Sequence, residues 1–212
     1  MFGTHDLALF IVSGLLLNMA PGPDSILVMT RSATQGWRAG SAAALGIGAG
    51  IFVHIVAAAL GLSALLATST AAFAMVKYVG AAYLLYIGLA MMRAKPASAA
   101  VAPLELPTAL SYRRIFAQGF LTNVLNPKVA IFFLAFVPQF IDPQAPNKAL
   151  AFIVLGCIFN FNGVLWCHFL AVSSALASQR FQANRWLVLW LNRLIGGLFV
   201  SFGIKLALAR QG

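Results

Sequence analysis

The hydrophobic pattern of the chain divides it into six long apolar stretches separated by short polar segments. A helix needs about 20 predominantly apolar residues to cross the hydrocarbon core of a bilayer, and each stretch meets or exceeds this length. We therefore predict an all-α membrane protein with a single integral membrane domain over residues 1–212. The six predicted transmembrane helices cover residues 7–29, 41–66, 71–92, 115–140, 148–173 and 187–209.

Two of the predicted transmembrane helices, the first and the fourth, contain a helix-breaking motif. The first motif is Asn18-Met19-Ala20-Pro21-Gly22-Pro23-Asp24 and the second is Asn123-Val124-Leu125-Asn126-Pro127-Lys128. Proline lacks an N–H group, so it leaves the carbonyl four residues earlier without its helical partner. The carbonyls freed in this way include those of Leu17 and Asn123. Such backbone is tolerated in a membrane only where it faces protein or a water-filled cavity.

Each motif also carries an ionisable residue, and such residues inside a membrane are costly and commonly functional. Asp24 can accept a hydrogen bond from an ammonium group or take up a proton. Lys128 can hold a substrate carboxylate, pair with Asp24 or donate to the freed backbone carbonyls. The helix that restarts after each break presents free N–H groups and a positive dipole end to an anion. These groups suit a zwitterion bound between helices 1 and 4, whereas the simpler alternative is two proline kinks with one structural ion pair. The candidate substrate-binding residues are Asn18, Pro21, Gly22, Pro23, Asp24, Asn123, Asn126, Pro127 and Lys128.

The two halves of the chain share a short sequence motif. Gly14-x-x-x-Asn18 in the first helix returns as Gly119-x-x-x-Asn123 in the fourth, and a proline follows each within a few residues. Each repeat contains three spans, which is an odd number, so the second repeat must have the opposite orientation in the membrane. We therefore predict two inverted three-helix repeats, at about 1–92 and 115–212, joined by a linker at about 93–114. The third and sixth helices also carry spaced glycines, which alone indicate close packing: Gly80, Gly88, Gly196 and Gly203.

Composition supports a membrane protein and argues against a nucleic-acid partner. Hydrophobic residues make up 61% of the chain and charged residues only 8%, whereas soluble domains carry about 25% charged residues. The formal charge of +10 comes from Lys and Arg residues that we assign to short loops, where they orient the protein and contact anionic lipids. The two cysteines, Cys157 and Cys167, lie about 15 Å apart along one helix and are interpreted as packing residues.

The distribution of basic residues predicts the orientation in the bilayer, since cytoplasmic loops are enriched in Lys and Arg. Eight basic residues follow helices one, three and five, and three lie on the opposite side. We therefore expect the first set to be cytoplasmic and both termini to be outside. The first set comprises Arg31, Arg38, Arg93, Lys95, Arg113, Arg114, Arg180 and Arg185, and the second comprises Lys77, Lys148 and Arg210.

Further polar residues occur inside predicted helices, and each has two interpretations. His54, in the middle of the second helix, either relays protons or binds substrate, or it forms a hydrogen bond to a neighbouring helix. Asn160, Asn162 and His168 in the fifth helix either line the transport path or join helices. The chain contains no Walker loop, no Cys-x-x-Cys pair and no zincin-like His-Glu pattern. We therefore expect no catalytic residue, metal site or cofactor, although a membrane-embedded redox or lipid-modifying enzyme and a metal-ion efflux protein remain alternatives.

The two break motifs together resemble the signatures of the lysine exporter family (LysE/RhtB type). Asn18…Pro21-Gly22-Pro23-Asp24 resembles its first-span signature, Asn126-Pro127-Lys128 resembles its second, and Tyr78-Val79-Gly80-Ala81-Ala82-Tyr83-Leu84 resembles the start of its third span. The resemblance covers nearly the whole chain, and the homoserine/threonine branch looks closest. It implies a secondary exporter that moves amino acids out of the cytoplasm across the bacterial inner membrane, driven by proton antiport.

A proton antiporter needs groups that exchange protons within the membrane, and the candidates in this chain are Asp24, Lys128 and His54. The expected partners are accordingly an amino-acid substrate, protons and the lipid bilayer. A homo-oligomer is left open as a further partner.

Overall fold

A computed structural model describes residues 2–62, 70–93, 109–142, 144–177 and 185–208. The described residues are helical, and the only β-type pairing among them is a single bridge between Thr4 and Ile141. In chain order the helices are α1 (Leu7–Met19), α2 (Pro23–Gln35), α3 (Trp37–Ala57, continued by a π-helical turn at Ala58–Leu62), α4 (Thr70–Arg93), α5 (Tyr112–Val124), α6 (Pro127–Ile131, continued by a π-helical segment at Phe132–Phe136 and a 3-10 turn at Val137–Phe140), α7 (Lys148–Ala177) and α8 (Arg185–Leu208).

Two single helices and two bent pairs of helices are long and apolar enough to cross a membrane. The single helices are α3 and α7. The pairs are α1 with α2 and α5 with α6, which bend by 55° and 46° at the two breaks. The structure thus confirms an all-helical membrane protein, with two to four candidate spans among the described residues. The first and fourth predicted spans are broken where the proline motifs lie.

The two bent pairs run through the bundle in opposite directions. At one end, the segment before α1 meets the end of α6, where the His5 N–H donates to the Phe140 carbonyl at 3.0 Å. At the other end, the last turn of α2 meets the start of α5, where the Leu110 N–H donates to Gln35 Oε1 at 2.9 Å. The middle of each pair, where its break lies, is therefore brought to the same level of the bundle.

Two helices in the first half of the chain have the same lengths as two helices in the second half. α1 and α5 are each 13 residues long, and α5 follows α1 at an offset of 105 residues, from Leu7 to Tyr112. α4 and α8 are each 24 residues long. Pro23 and Pro127, which open the second helix of each pair, are 104 residues apart. The first break is therefore longer than the second by a single residue.

Small residues allow the helices around the breaks to approach closely. Gly50 of α3 lies against α5, since a Cβ atom there would stand 2.9 Å from the Phe120 carbonyl oxygen and 2.9 Å from Asn123 Cβ. α4 and α8 pack in the same way, because a Cβ on Gly88 or on Gly196 would lie 2.6 Å from the other residue's carbonyl oxygen. These glycines of the third and sixth predicted helices therefore serve helix packing.

An aromatic cluster holds α6 against α1 and α7 just beyond the second break. The Phe132 ring of α6 stacks on Phe159 of α7 with centroids 4.4 Å apart, and the centroid of Phe10 in α1 lies 6.1 Å from that of Phe132. All three side chains are buried. Because lipid tails are as apolar as phenylalanine, such a cluster stabilises the fold through close packing more than through exclusion of water.

The structure corrects the position of Arg31, which the sequence analysis assigned to a loop after the first span. Arg31 lies inside α2, which continues to Gln35 rather than ending near residue 29, and its residue surface is only 8% exposed. The hydropathy pattern ended the span early because Thr30, Arg31 and Ser32 are polar, yet Arg31 and Ser32 are buried. Outside the described residues lie Lys95, Arg180, Arg210 and the linker residues 94–108.

Candidate functional site

The two breaks meet at one small cavity in the bundle. Four of the predicted substrate-binding residues line it, namely Asn18, Asp24, Asn123 and Lys128. The other lining residues come from α1, α2, α3, α6 and α7, and they are Leu17, Ser25, Ile47, Ile51, Val129, Phe159, Gly163 and Cys167. The cavity therefore combines one acid, one base and two amides with a largely apolar wall.

The first break ends α1 at Met19 and restarts the chain as α2 at Pro23, with extended backbone between them. Proline suits the first helical position, because the N–H that it lacks has no helical partner there. Asp24 follows in the first turn of α2, where the helix dipole stabilises a negative charge. Pro21 and Pro23 are exposed, so their rings interrupt the helix without lining the cavity.

The second break has the same construction with a base in place of the acid. α5 ends at Val124, and α6 begins at the exposed Pro127, with Lys128 next in its first turn. The side chain of Asn126 caps α6, since its Oδ1 accepts a hydrogen bond from the Lys128 backbone N–H at 3.0 Å. A positive charge at a helix N-terminus is unfavourable, so the Lys128 ammonium group needs acceptors from elsewhere.

The Lys128 ammonium group binds the end of α1. Its Nζ donates to the Leu17 carbonyl at 3.2 Å and to the Ala20 carbonyl at 3.0 Å, and the first of these carbonyls has lost its helical partner to a proline. Gly22 leaves room for the contact, because a Cβ there would stand 3.1 Å from Nζ. The sequence left open three partners for Lys128, namely Asp24, a substrate carboxylate or freed carbonyls, and the structure shows the carbonyls.

Asp24 is held in turn by the end of α5. Asn123 Nδ2 donates to Asp24 Oδ2 at 2.9 Å, and Asn123 is fully buried. Among the described residues, the only contact of salt-bridge length joins His5 and Asp6, so Asp24 and Lys128 share the cavity without pairing directly. The alternative of two kinks with one structural ion pair therefore does not describe this site.

His54 of α3 contacts the site through the backbone of the second break. Its Nε2 lies 3.0 Å from the Asn123 carbonyl oxygen, which also accepts from the Asn126 N–H at 2.9 Å. This carbonyl is the one that Pro127 deprives of a helical partner. The His54 ring also stacks on Phe133, with centroids 6.0 Å apart. His54 thus makes the hydrogen bond to a neighbouring helix, and its part in proton transfer stays a prediction.

Polar atoms at the two breaks are buried without a hydrogen-bond partner, and they are Asn18 Nδ2, Asp24 Oδ1, Asn123 Oδ1 and Asn126 Nδ2. Buried polar groups in native proteins are nearly always paired, so this mixture of donors and acceptors suits water or the polar groups of a ligand. The cavity volume is about 20 Å³, and one water needs roughly 10–15 Å³. The site is therefore closed, with room for water but not for an amino acid.

The sequence analysis missed the apolar half of the cavity. Ile47, Ile51 and Phe159 line it, but apolar residues one helical turn apart look alike whether they face lipid, core or a cavity. Cys167, which was interpreted as a packing residue, also lines the cavity, whereas Cys157 is exposed. No sequence signal separates the two cysteines, since only the rotation of α7 in the bundle distinguishes them.

Asn160, Asn162 and His168 of α7 are not among the residues that line the cavity. Asn160 Nδ2 donates to the Gly48 carbonyl of α3 at 3.2 Å, and the His168 ring lies 2.8 Å from the Val164 carbonyl of its own helix. Asn162 is half-buried. In the part of the chain that the structure describes, no three His, Cys, Asp or Glu side chains cluster as a metal ion would require.

Comparison with known proteins finds relatives over nearly the whole chain. The LysE type translocator family matches residues 15–210. A membrane protein of Pseudomonas aeruginosa, described as uncharacterized, is 32% identical over 212 residues that cover 98% of this chain and 97% of that protein. Leucine efflux proteins of Salmonella typhimurium and Salmonella typhi are 30% identical over 206 residues that cover 97% of this chain and 96% of theirs. No solved structure matches the chain.

The family match includes both breaks and every residue that lines the cavity. The members of the family are translocators, and the related efflux proteins likewise move a solute rather than transform it. The chain belongs to the LysE type translocator family, and it is a membrane transporter rather than an enzyme.

Proposed function

We propose that this transporter exports amino acids from the cytoplasm across the bacterial inner membrane and binds them between its two broken helices. The family and the Salmonella leucine efflux proteins support an amino-acid substrate. The observation that carries the binding site is the cavity that Asp24 and Lys128 share with Asn18 and Asn123. A zwitterionic amino acid has an ammonium group that can pair with Asp24 and a carboxylate that can pair with Lys128.

One arrangement of the substrate fits these charges. Its ammonium group would donate to Asp24 Oδ1, which has no other partner, and its carboxylate would accept from Lys128 Nζ. Asn18 Nδ2 and Asn123 Oδ1 supply a further donor and a further acceptor. Hydrogen bonds between charged groups are about twice as strong as neutral ones, so the two charged residues dominate recognition of the amino-acid backbone.

The apolar wall favours a neutral aliphatic side chain. Ile47, Ile51, Val129 and Phe159 line the cavity, and Asp24 is the only acid among its described lining residues. A lysine or arginine substrate would bring a second positive charge without a second carboxylate, and burying an unpaired charge is costly. We therefore propose a leucine-like substrate, in keeping with the names of the Salmonella relatives.

Binding requires the two breaks to separate, because the closed cavity is too small for an amino acid. The contacts that close it join Lys128 to the end of α1 and Asn123 to Asp24. A substrate carboxylate can replace the Leu17 and Ala20 carbonyls as the acceptor for Lys128. A substrate ammonium group can replace Asn123 as the donor to Asp24. The substrate thereby supplies new hydrogen-bond partners to Lys128 and Asp24, which lose their own partners when the breaks separate.

We further propose that opening alternates between the two sides of the membrane through two inverted three-helix repeats. α1 to α4 form the first repeat and α5 to α8 the second, which gives six transmembrane segments when each bent pair counts as one. The matching helix lengths and the opposite directions of the bent pairs support this arrangement. Transporters with such repeats bind substrate at the repeat interface near the bilayer midplane.

Proton antiport follows from the exchange of one cation for another at Asp24. Asp24 makes no salt bridge with any other described residue, so when the substrate ammonium group leaves, uptake of a proton neutralises a carboxylate whose charge is costly inside the membrane. The ammonium group of Lys128 contributes a positive charge to the same cavity. His54 reaches the site only through the Asn123 carbonyl, so we assign it a supporting role in proton transfer.

Export from dipeptide-loaded cells tests the proposed function. Cells given dipeptides of leucine, lysine or threonine accumulate the free amino acids, and their appearance in the medium is followed with and without the protein. We expect faster loss of leucine, unchanged loss of lysine, and no difference once a protonophore has collapsed the proton gradient. Equal rates for every amino acid with and without the protein would contradict export, and export that survives the protonophore would contradict antiport.

A further inference from the structure

Arg31 is a buried cation that the proposed transport site does not use. It is 8% exposed, and its Nη2 donates to Gln118 Oε1 at 3.0 Å. Its Nε and Nη1 atoms are buried and have no hydrogen-bond partner. A guanidinium group has only donors and stays charged, so the partner that it lacks must be an acceptor. A negatively charged acceptor would best offset the cost of burying the charge.

No carboxylate among the described residues supplies that partner. Asp6 and Asp142 lie at the opposite end of the bundle, beside the start of α1 and the end of α6. Asp24 precedes Arg31 on the same helix by about 10 Å along the axis, and Asn123 binds it. Arg31 can therefore offer its free donors to an anion that is not part of the described protein.

Arg31 belongs to a polar seam between α2 and α5. Asp24 and Arg31 are nearly two full turns apart, so they share one face of α2. The contacts across the seam follow each other in antiparallel order, and they are Asp24 with Asn123 at 2.9 Å, Arg31 with Gln118 at 3.0 Å, and Gln35 with the Leu110 N–H at 2.9 Å. The seam runs from the central cavity to one end of the bundle, with Arg31 between the two.

The seam ends at an open surface groove between the end of α2 and the start of α5. The described residues that border this groove are Thr34, Gln35, Ala109, Leu110, Ser111 and Tyr112. Gln35 lines the groove, and its Nε2 is another buried donor without a partner. The groove, Arg31 and the central cavity therefore follow one another along one face of α2.

We propose that Arg31, with Gln118, forms a second carboxylate-binding site for the transported amino acid, between the groove and the central cavity. This inference rests on the proposed function, since the carboxylate belongs to the substrate. The planar fork of an arginine binds a carboxylate through two parallel N–H bonds, which a lysine cannot reproduce. By holding the substrate before Lys128 does, the site speeds filling of the central cavity at low substrate concentration.

Leucine transport by the full-length protein in proteoliposomes tests this site. Leucine is varied on the side that the groove faces, for wild type, Arg31→Gln, Arg31→Lys and Gln118→Glu. We expect Arg31→Gln to raise KM about tenfold, equivalent to roughly 1.4 kcal/mol, with little change in the maximal rate. The KM of Arg31→Lys should lie between those of wild type and Arg31→Gln, because lysine keeps the positive charge but lacks the planar fork of arginine. Gln118→Glu should also raise KM, because its carboxylate competes with that of leucine for Arg31.

Controls separate substrate binding from other roles of Arg31. Gln118→Glu should unfold at a higher temperature than wild type while its KM rises, whereas a purely structural Arg31 would leave KM unchanged in this variant. If Arg31→Gln does not fold, Arg31→Lys and Gln118→Glu decide the question. Arg38→Gln removes an exposed arginine from the same end of the bundle and should transport with wild-type KM.

Several results would overturn the inference. Wild-type KM in both Arg31 variants would do so while leaving the proposed function intact. So would a Glu105→Gln variant that reproduces the Arg31→Gln defect, because Glu105 is the one acid of the chain outside the described residues and Arg31 would then serve a carboxylate of its own chain. Loss of the defect in liposomes without anionic lipid would assign Arg31 to a lipid phosphate instead. A wild-type protein that transports none of the amino acids tested would contradict the proposed function, and the inference would fall with it.

Discussion

At the scale of single residues, two opposite charges occupy the same position in two similar breaks. Asp24 and Lys128 each directly follow the proline that opens a helix. The helix dipole favours the acid and disfavours the base, so the two residues use different partners. Asp24 accepts from an amide, and Lys128 donates to backbone carbonyls. Each charge is therefore bound by the end of the other pair's first helix, which keeps the breaks together.

Asp24→Asn should reduce export strongly while leaving folding and membrane insertion intact. Asparagine has nearly the same volume and can still accept from Asn123, but it cannot carry a proton or attract an ammonium group. A hydrogen bond to a charged group contributes about 1.5–3 kcal/mol, so we expect about a tenfold loss of export or more at matched protein levels. Asp6→Asn, at an exposed acid outside the cavity, should export normally. Wild-type export by an inserted Asp24→Asn protein would remove Asp24 as both proton carrier and ammonium ligand.

Lys128→Ala should abolish export, and Lys128→Arg should restore little of it. Alanine removes the cation that we assign to the substrate carboxylate. Arginine keeps the charge, but its planar group differs in shape from the compact ammonium, which already lies 3.1 Å from the Cβ position of Gly22. The same dipeptide-loading measurement applies. Full export by Lys128→Arg would show that charge alone suffices, against the geometry proposed for this site.

At the scale of elements, close helix contacts decide which pairs form. α8 carries two adjacent glycines with different surroundings. A Cβ on Gly196 would lie 2.6 Å from the Gly88 carbonyl oxygen of α4, whereas a Cβ on Gly197 would meet nothing within 4 Å. Alanine is favoured over glycine inside a helix by about 1 kcal/mol, and this preference applies equally at both positions. A comparison of the two sites therefore isolates the packing of α4 on α8.

Gly196→Ala should lower thermal stability, and Gly197→Ala should maintain or raise it. Overpacking of a tight contact costs about 1–3 kcal/mol, which meets or exceeds what alanine adds through helix propensity. Thermal unfolding of both purified variants in the same detergent measures the difference directly. If the two proteins unfold at the same temperature, the contact between α4 and α8 does not depend on these glycines.

At the scale of the whole molecule, orientation in the bilayer sets the direction of transport. Arg114 at the start of α5 and Gln144 after the end of α6 are both exposed, at opposite ends of one bent pair. With Cys157 and Cys167 replaced by serine, Gln144→Cys should react with an impermeant thiol reagent in intact cells. Arg114→Cys should react only after the cells are opened, because we expect the basic face to be cytoplasmic. The reverse labelling pattern would invert the topology and turn the groove near Gln35 to the outside.

The sequence by itself determined the helices and their breaks, because both depend on chemistry between neighbouring residues. The predicted span 115–140 corresponds to α5 and α6, which cover Tyr112–Val124 and Pro127–Phe140. Apolar length is a property of consecutive residues, and proline removes an N–H group wherever it stands. The positions of both breaks, with Asp24 and Lys128 inside them, therefore followed from local pattern alone.

Only the tertiary structure decided which groups face each other. Lys128 binds the Leu17 carbonyl across 111 positions of the chain, and Asn123 reaches Asp24 across 99, so no local pattern selects these partners from the other acceptors and donors. The polar residues around Arg31 likewise led to the prediction of a loop there. Residue polarity alone does not distinguish a solvated charge from a charge that is buried against another helix. The apolar wall containing Cys167 exists only once α3, α6 and α7 have packed together. Local chemistry thus decides where a helix breaks, while the packing of distant segments decides what each break binds.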